Sequence, residues 1–309
     1  MLRRSSSRCD SLVPIIYFIN STYIMTIPSH SISSVGRRTN LVSNTFRLLG
    51  TAVVTSLFLP CSLVLAQQTA DNRYPDALPT SGIIGVGVAS LPKYQGSDET
   101  ETKGVAILEY HWANGIFVGG DNNTLIGLQY ELPSKVQYGS ALGIDVGRKE
   151  SHSRALAGMG DVERKAVFVS FIRAAITDQF SINSSVQIGS GNEHKGALLK
   201  LGAAYAIPLN SSMQVSLNVD STLANDSYME NYFGVSATQA STSRYRVYKA
   251  SSGLRDVSVG VRLSYQINHD WSVLAAVSST SLASAAKDSP LALQANTQQV
   301  LFGVTYNLK

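Results

Sequence analysis

Cysteine and charge are both scarce in this sequence. The 309 residues include 2 Cys, and only 15% of them are Asp, Glu, Lys or Arg, whereas 44% are hydrophobic. So few cysteines exclude a disulfide-stapled scaffold and any site with four thiolate ligands. The low charge and the high hydrophobicity exclude a largely disordered chain, which has the opposite composition. The sequence therefore predicts a folded protein that does not depend on disulfide bonds.

The formal net charge of +4 belongs to the N-terminal segment. Residues 1–66 contain six Arg, no Lys and a single acidic residue, Asp10. The remaining residues, 67–309, carry nearly equal numbers of basic and acidic side chains. A nucleic-acid-binding surface needs an excess of positive charge on the folded domain. We therefore expect no nucleic-acid partner.

The N-terminal segment also has the three parts of a secretory signal peptide. Residues 48–66 carry no charge, follow three arginines and end on the small residue Ala66. This pattern predicts cleavage after Ala66. A retained membrane anchor is the alternative, because an apolar run of this length can span a bilayer. We expect 1–66 to be an N-terminal extension plus a signal peptide that is removed, and 67–81 to be a periplasmic segment.

Beyond the signal peptide the sequence alternates between apolar and polar residues in many short segments. In 257–265, for example, Val259 and Val261 fall on one face and Gly260 and Arg262 on the other. Alternation with a period of two over about ten residues predicts a strand that crosses a membrane at a tilt. Twelve segments have this character, and they lie near 82–91, 103–112, 115–121, 124–132, 135–147, 162–175, 179–190, 196–207, 212–222, 255–267, 271–282 and 296–308.

The connections between these segments alternate in length. Those after even-numbered segments are short, and those after odd-numbered segments are mostly long, at 92–102, 148–161, 191–195, 223–254 and 283–295. This asymmetry is typical of outer-membrane barrels, whose turns lie in the periplasm and whose loops lie outside. We therefore predict an all-β fold, a transmembrane antiparallel β-barrel of about 12 strands over 82–309. It would lie in a Gram-negative outer membrane, in contact with lipid and lipopolysaccharide.

A soluble β-sandwich or a lipocalin-like barrel is the alternative, because its strands also alternate. Such a protein buries its apolar face in a core. Here the polar face is rich in Gly, Ser, Asn and Gln and holds Arg262 and Asp145, which suits a lumen. An arginine turned toward lipid at the middle of a bilayer costs about 2–4 kcal/mol. We therefore predict that Arg262 and Asp145 face the lumen.

Residues suited to catalysis or metal binding are few. No motif pairs a histidine with a nucleophile, and no phosphate-binding loop, dinucleotide fingerprint or zinc spacing occurs. We expect no catalytic residue, no cofactor, no metal and no enzymatic activity. Asp98, Glu99 and Glu101 offer oxygen ligands for a cation, but we favour a solvated acidic loop. The connection 223–254 is too long to serve only as a linker, so we expect it to fold into or over the barrel mouth and to form a plug, a short helix or a partner surface.

Three stretches of the sequence carry a distinctive set of residues. The first stretch follows the first predicted strand, the second lies in 226–240, and the third runs from 253 to 290. We call the following the signature residues: Tyr94, Gly96, Ser97, Asp98, Tyr228, Met229, Tyr232, Phe233, Gly234, Val235, Asp256, Ser289 and Pro290. In these residues the sequence resembles the MipA/OmpV family of outer-membrane proteins, and the resemblance covers roughly 82–309.

The resemblance implies an outer-membrane scaffold for murein synthesis. Such a scaffold would bring a lytic transglycosylase together with a bifunctional penicillin-binding protein. A barrel fold does not fix a function, so two alternatives stay open. A small-solute channel is favoured by the polar inner face, and a surface-exposed adhesin by the long outer loops.

Overall fold

A computed structural model describes residues 80–120 and 123–308. The described residues form one closed antiparallel β-barrel of twelve strands, so the predicted fold class is confirmed. The strands are β1 Ser81–Pro92, β2 Thr100–His111, β3 Ile116–Gly119, β4 Thr124–Glu131, β5 Val136–Asp145, β6 Lys165–Ala175, β7 Phe180–Ser190, β8 Gly196–Pro208, β9 Met213–Ala224, β10 Gly253–Gln266, β11 Trp271–Leu282 and β12 Asn296–Leu308. The predicted signal peptide, and the periplasmic segment up to residue 79, lie outside the described residues.

The first and last strands close the barrel. Every strand pairs with its neighbours in sequence, and β1 pairs with β12 from Gly82 opposite Leu308 to Ser90 opposite Val300. Closure matters because an open sheet edge in lipid would leave backbone donors and acceptors unpaired. The register also places the start of β1 and the end of β12 at the same end of the barrel, which is the end with the short turns.

The outward face of the barrel is apolar. Val86 is 70% exposed and Val259 50%, and both lie on the outside with many other large apolar side chains. Arg262 lies on the opposite, inward face of β10, because its neighbours Val261 and Val259 face outward. At the short-turn end, Trp271 packs edge-on against Tyr306 with ring centroids 5.2 Å apart. Amphipathic aromatics at strand ends suit the boundary between lipid and water.

Ten strands differ from the predicted bounds by at most three residues, and β3 and β6 show physical reasons for the difference. The sequence predicts β3 over 115–121, but the strand ends at Gly119, because Gly119 and Gly120 have φ of 76° and 96° and turn the chain away. A Cβ atom at Gly119 would clash with the carbonyl oxygen of Leu108. The sequence also predicts that β6 begins at 162, but it begins at Lys165, because Val162 forms an isolated bridge with Arg148.

The helices lie in the long connections. The connection 225–252 holds α1, Asp226–Phe233, and α2, Ala237–Thr242, while α3, Ser284–Lys287, follows β11. The connection after β5 holds two short 3-10 helices, Glu150–His152 and Arg154–Leu156. The N-cap of α1 is Asn225, whose side chain accepts a hydrogen bond from the Tyr228 backbone N–H. In the part of the chain that the structure describes, every helix is too short to cross a membrane.

Candidate functional site: the capped barrel mouth

Four long connections fold together over one end of the barrel. They are 93–99, 146–164, 225–252 and 283–295, and we call them the cap. Side-chain bonds join them: Ser153 donates to the Glu99 carboxylate at 2.9 Å, and Ser289 donates to the Phe233 carbonyl at 2.6 Å. The signature residues lie in the cap, except Asp256, which lies near the start of β10. The connection 223–254, which we expected to fold at the barrel mouth, forms two helices there, and they pack against the other connections.

The apolar face of α1 anchors the cap. Met229 and Phe233 are 0% exposed. With Tyr228 and Tyr232 they form one apolar cluster, and the other buried members of that cluster are Val162, Ala224, Ala250, Leu282 and Ala286. Full burial of a Phe or Met side chain contributes about 1.5–3 kcal/mol. Since the cluster draws residues from several strands and connections, α1 is fixed across the barrel mouth.

Two stacked tyrosines tie α1 to the barrel wall. The rings of Tyr228 and Tyr232 stack with centroids 4.4 Å apart. The Tyr232 hydroxyl donates to the Asp145 carboxylate at 2.6 Å, and Arg255 Nη1 donates to the Tyr228 hydroxyl at 2.9 Å. Burial raises the pKa of both tyrosines, so both phenols stay protonated at neutral pH. The helix is therefore bonded to the end of β5 on one side and to β10 on the other.

The first signature stretch forms a tight turn. The Ser97 backbone N–H donates to the Tyr94 carbonyl at 3.0 Å, and Gly96 has φ of 88°. The Glu99 carboxylate pairs with Lys93 at 2.9 Å and accepts a bond from Ser153, and these two contacts lower the pKa of Glu99. Asp98 is exposed. Among residues 80–120 and 123–308, no group of three or more His, Cys, Asp or Glu side chains could hold a metal ion.

The remaining signature residues make contacts in the cap or at the start of β10. Gly234 ends α1, and a Cβ atom there would lie 2.5 Å from the Glu230 carbonyl oxygen. Val235 exchanges two backbone hydrogen bonds with Tyr248, at 2.8 and 2.9 Å. Asp256 pairs with its neighbour Arg255. Pro290 is half-buried beside Ser289. The structure therefore gives most signature residues a packing or bonding partner within the cap.

A polar cavity of about 1110 Å³ lies inside the barrel beneath α1. Tyr228 and Tyr232 line it from the cap, and Gln187, Ser258 and Gln299 line it from the strands. Asp145 lines the cavity too, although Tyr232 already occupies one of its oxygens. Arg262 faces the lumen but is not among the residues that line this cavity. The space is large enough for a small solute.

Between the cavity and the short turns, inward-facing side chains fill the lumen. Phe117 is 3% exposed on the inward face of β3, and it contacts the rings of Phe171 and His111 with centroids 5.8 and 5.7 Å away. Gln129 is 4% exposed, and its Nε2 donates to His111 Nδ1 at 2.7 Å. Sequence reasoning did not identify these residues, because their positions follow the same alternation as any other inward-facing residue.

Comparison with known proteins identifies a family. The family described as MltA-interacting protein MipA matches residues 84–308. Among curated proteins, no sequence matches this chain. Solved structures similar to this chain include a KdgM porin, a NanC porin and a bacterial polysaccharide outer membrane secretin, and the match to each covers 74% of this chain.

The similarity to these structures is distant. The KdgM porin has 11% identity and a TM-score of 0.39 over 99% of its own chain. The NanC porin has 11% identity and a TM-score of 0.42 over 100% of its chain, and the secretin has 8% and 0.40 over 98%. The family match, by contrast, extends over nearly the whole barrel. The chain belongs to the MipA family.

Proposed function

We propose that this protein is a non-catalytic outer-membrane scaffold whose barrel is closed by its cap. The observation that carries the proposal is α1, which lies across the mouth with Met229 and Phe233 fully buried. A general diffusion pore needs an open lumen, whereas a scaffold needs a rigid anchor in the membrane. By family membership, the partners would be a lytic transglycosylase and a bifunctional penicillin-binding protein. Surrounding lipid and lipopolysaccharide would contact the apolar outer face.

The periplasmic partners of such a scaffold would meet the short-turn end of the barrel. That end presents the ion pair Lys135–Asp178, at 2.9 Å, whose side chains are 55% and 79% exposed. Trp112 and Leu132 at the same end are 39% and 46% exposed. Exposed apolar and charged groups side by side are suited to a protein contact. The cap lies at the opposite end and would not take part.

Pull-down with purified murein enzymes tests the scaffold function. The purified full chain in detergent is immobilised, and a lytic transglycosylase and a bifunctional penicillin-binding protein are passed over it separately. We expect specific retention of at least one enzyme, weakened by Lys135→Glu in a periplasmic turn. Lys149→Glu makes the same charge reversal on an exposed residue of the cap and should leave retention unchanged. Failure of the intact chain to retain either enzyme would contradict the scaffold function.

A gated channel for small solutes is the second candidate, and the polar cavity favours it. A space of about 1110 Å³ within a barrel would serve as a vestibule if the cap opened. Deletion of 228–250 removes most of α1 and the segment that follows it. If the cap is a gate, the intact chain should show openings whose frequency depends on solute or voltage. If the cap is a fixed plug, only the deletion variant should conduct.

A further inference from the structure

Arg148 is buried in the cap without an anionic partner. Its side chain is 4% exposed, and its Nη1 donates to the Tyr232 carbonyl at 2.8 Å. Its Nε is buried and has no hydrogen-bond partner among the described residues. A buried cation without a paired carboxylate is costly, and burial accordingly lowers the pKa of Arg148. The contacts of Arg148 with the described residues therefore satisfy its guanidinium only in part.

The half-buried Lys and Arg side chains around the cavity have a carboxylate partner, whereas Lys149 and Arg164, which line it without an ion pair to a described residue, are exposed. Lys103 pairs with Glu101 at 2.5 Å, Lys200 pairs with Asp220 at 3.5 Å, and Arg255 pairs with Asp256. All six of these side chains line the same cavity as Arg148. Arg148 therefore departs from the local pattern.

Asp161, whose charge acts on Arg148, and Asp145, three residues before it in the sequence, both bond to other groups. Asp161 accepts a bond from the Glu150 backbone N–H at 2.7 Å. Asp145 accepts bonds from the Tyr232 hydroxyl and from the Gly147 backbone N–H. Neither forms an ion pair with Arg148 in the part of the chain that the structure describes. The negative charge of Asp161 acts on Arg148 from a distance, and no carboxylate of the described residues bonds to the guanidinium.

Tyr94 supplies a second buried polar atom without a partner. Its hydroxyl is buried, and no described residue bonds to it, although its ring packs with Ala155 and Leu156. Tyr94 and Arg148 both line the cavity. They are also near each other: burial raises the pKa of Tyr94, while the charge of Arg148 lowers it. Two side chains that each carry a buried unsatisfied donor therefore line one cavity.

We propose that Arg148 and Tyr94 form a binding site for an oxyanion, a carboxylate or a phosphate, carried by a small polar solute in the capped cavity. The Nε edge of a guanidinium can bind either oxyanion in a bidentate manner, and a phenol O–H adds a third donor. The neutral side chains of Gln187, Ser258 and Gln299 line the same space and suit the hydroxyl groups of such a solute. This inference holds whether the barrel conducts or acts as a scaffold.

Calorimetric titration of the full chain in a neutral detergent tests the site. Glucose 6-phosphate and gluconate are the anionic probes, and glucose is the neutral control. We expect saturable binding of at least one anion and none of glucose. Arg148→Gln should weaken the binding by about tenfold or more, since hydrogen bonds to a charged group are lost. Arg154→Gln removes the same charge from an exposed position in the same connection and should leave affinity unchanged.

Three results would overturn the proposal: no saturable binding of either anion, equal binding of glucose, or an equal loss in Arg154→Gln. Tyr94→Phe keeps the ring contacts and removes only the hydroxyl, and it should weaken binding by a few-fold. It decides the question if Arg148→Gln does not fold, and wild-type affinity in Tyr94→Phe would then count against the site. A repeat with phosphatidylglycerol in the micelles identifies the source of the anion. Competition by that lipid would show that a headgroup phosphate occupies the same site.

Discussion

The two ends of the barrel are built differently. At one end, the connections are long, carry three α-helices and bury residues such as Met229 and Phe233 completely. At the other end, the connections are short turns, and Lys135 and Asp178 face solvent. Nearly all signature residues lie at the first end, where they contact one another and the barrel wall. The signature residues thus hold the cap together, and they lie at the end opposite the short turns.

This contrast separates the closure of the lumen from the binding of murein enzymes, and each can be tested at its own end of the barrel. Whether the lumen is closed depends on the cap, whose contacts span residues as distant as Tyr232 and Asp145. Whether enzymes bind depends, under our proposal, on the turns at the other end. Changes in the cap should therefore alter conductance and leave enzyme binding intact, and changes in the turns should do the opposite.

The largest effect should come from Phe233→Ala. Truncation of a fully buried Phe removes about 3–5 kcal/mol of packing, and here the loss falls on α1. We expect the barrel to remain folded while the cap becomes sensitive to protease and the lumen conducts. Leu293→Ala is the control, since Leu293 lies in the cap but is 42% exposed. Cleavage of the control as fast as Phe233→Ala would show that α1 does not anchor the cap.

A smaller effect is expected from Tyr232→Phe. The change removes the 2.6 Å hydrogen bond to Asp145 and leaves the ring stacked on Tyr228. A hydrogen bond to a charged group contributes about 1.5–3 kcal/mol. Amide hydrogen exchange in 226–233 should become faster, while exchange in the strands stays the same. Unchanged exchange in α1 would mean that its apolar contacts alone hold it.

Acid should loosen the contact between 93–99 and 146–164. Lys93 and Ser153 hold the pKa of Glu99 below its usual value. A depressed carboxyl pKa stabilises the folded state above the usual pKa, and this contribution is lost as the pH falls through the lowered value. Glu99→Gln should therefore weaken cap protection near neutral pH, measured by exchange corrected for intrinsic rates. The difference between the two proteins should vanish in acid, and a difference that persists there would contradict this account.

The smallest effect on stability should come from Lys135→Ala. Lys135 and Asp178 are exposed, and exposed ion pairs contribute little to folding. We expect no measurable change in thermal unfolding or in conductance. Retention of a murein enzyme should nevertheless fall, since this pair lies at the proposed docking end. A conductance change in this variant would contradict the claim that only the cap controls conductance.

The barrel was predictable from the sequence because the apolar and polar residues alternate within each strand. Lipid outside and a lumen inside impose a period of two on every strand, and alternating connection lengths indicate which end is which. Val259, Val261 and Arg262 suffice to set the facing of β10. The bounds of β3 were harder to predict, since the strand ends where Gly119 and Gly120 take positive φ values.

The cap was only partly predictable. The length of 223–254 indicates that it folds at the mouth, but its helices are held by contacts made far away in sequence. Arg148 illustrates the limit, because its burial and its missing partner depend on α1 and on the Tyr94 turn together. No local pattern marks such a residue. The signature residues could be recognised from the sequence, whereas their contacts required the structure.

Single-channel recording in a planar bilayer tests the central claim most directly. The intact chain and the 228–250 deletion are refolded, inserted in parallel and recorded under the same salt and voltage. A cap that closes the lumen predicts silence from the intact chain and stable openings from the deletion variant. Stable openings of equal size from both proteins would contradict the account, because they would show that ions pass without regard to the cap.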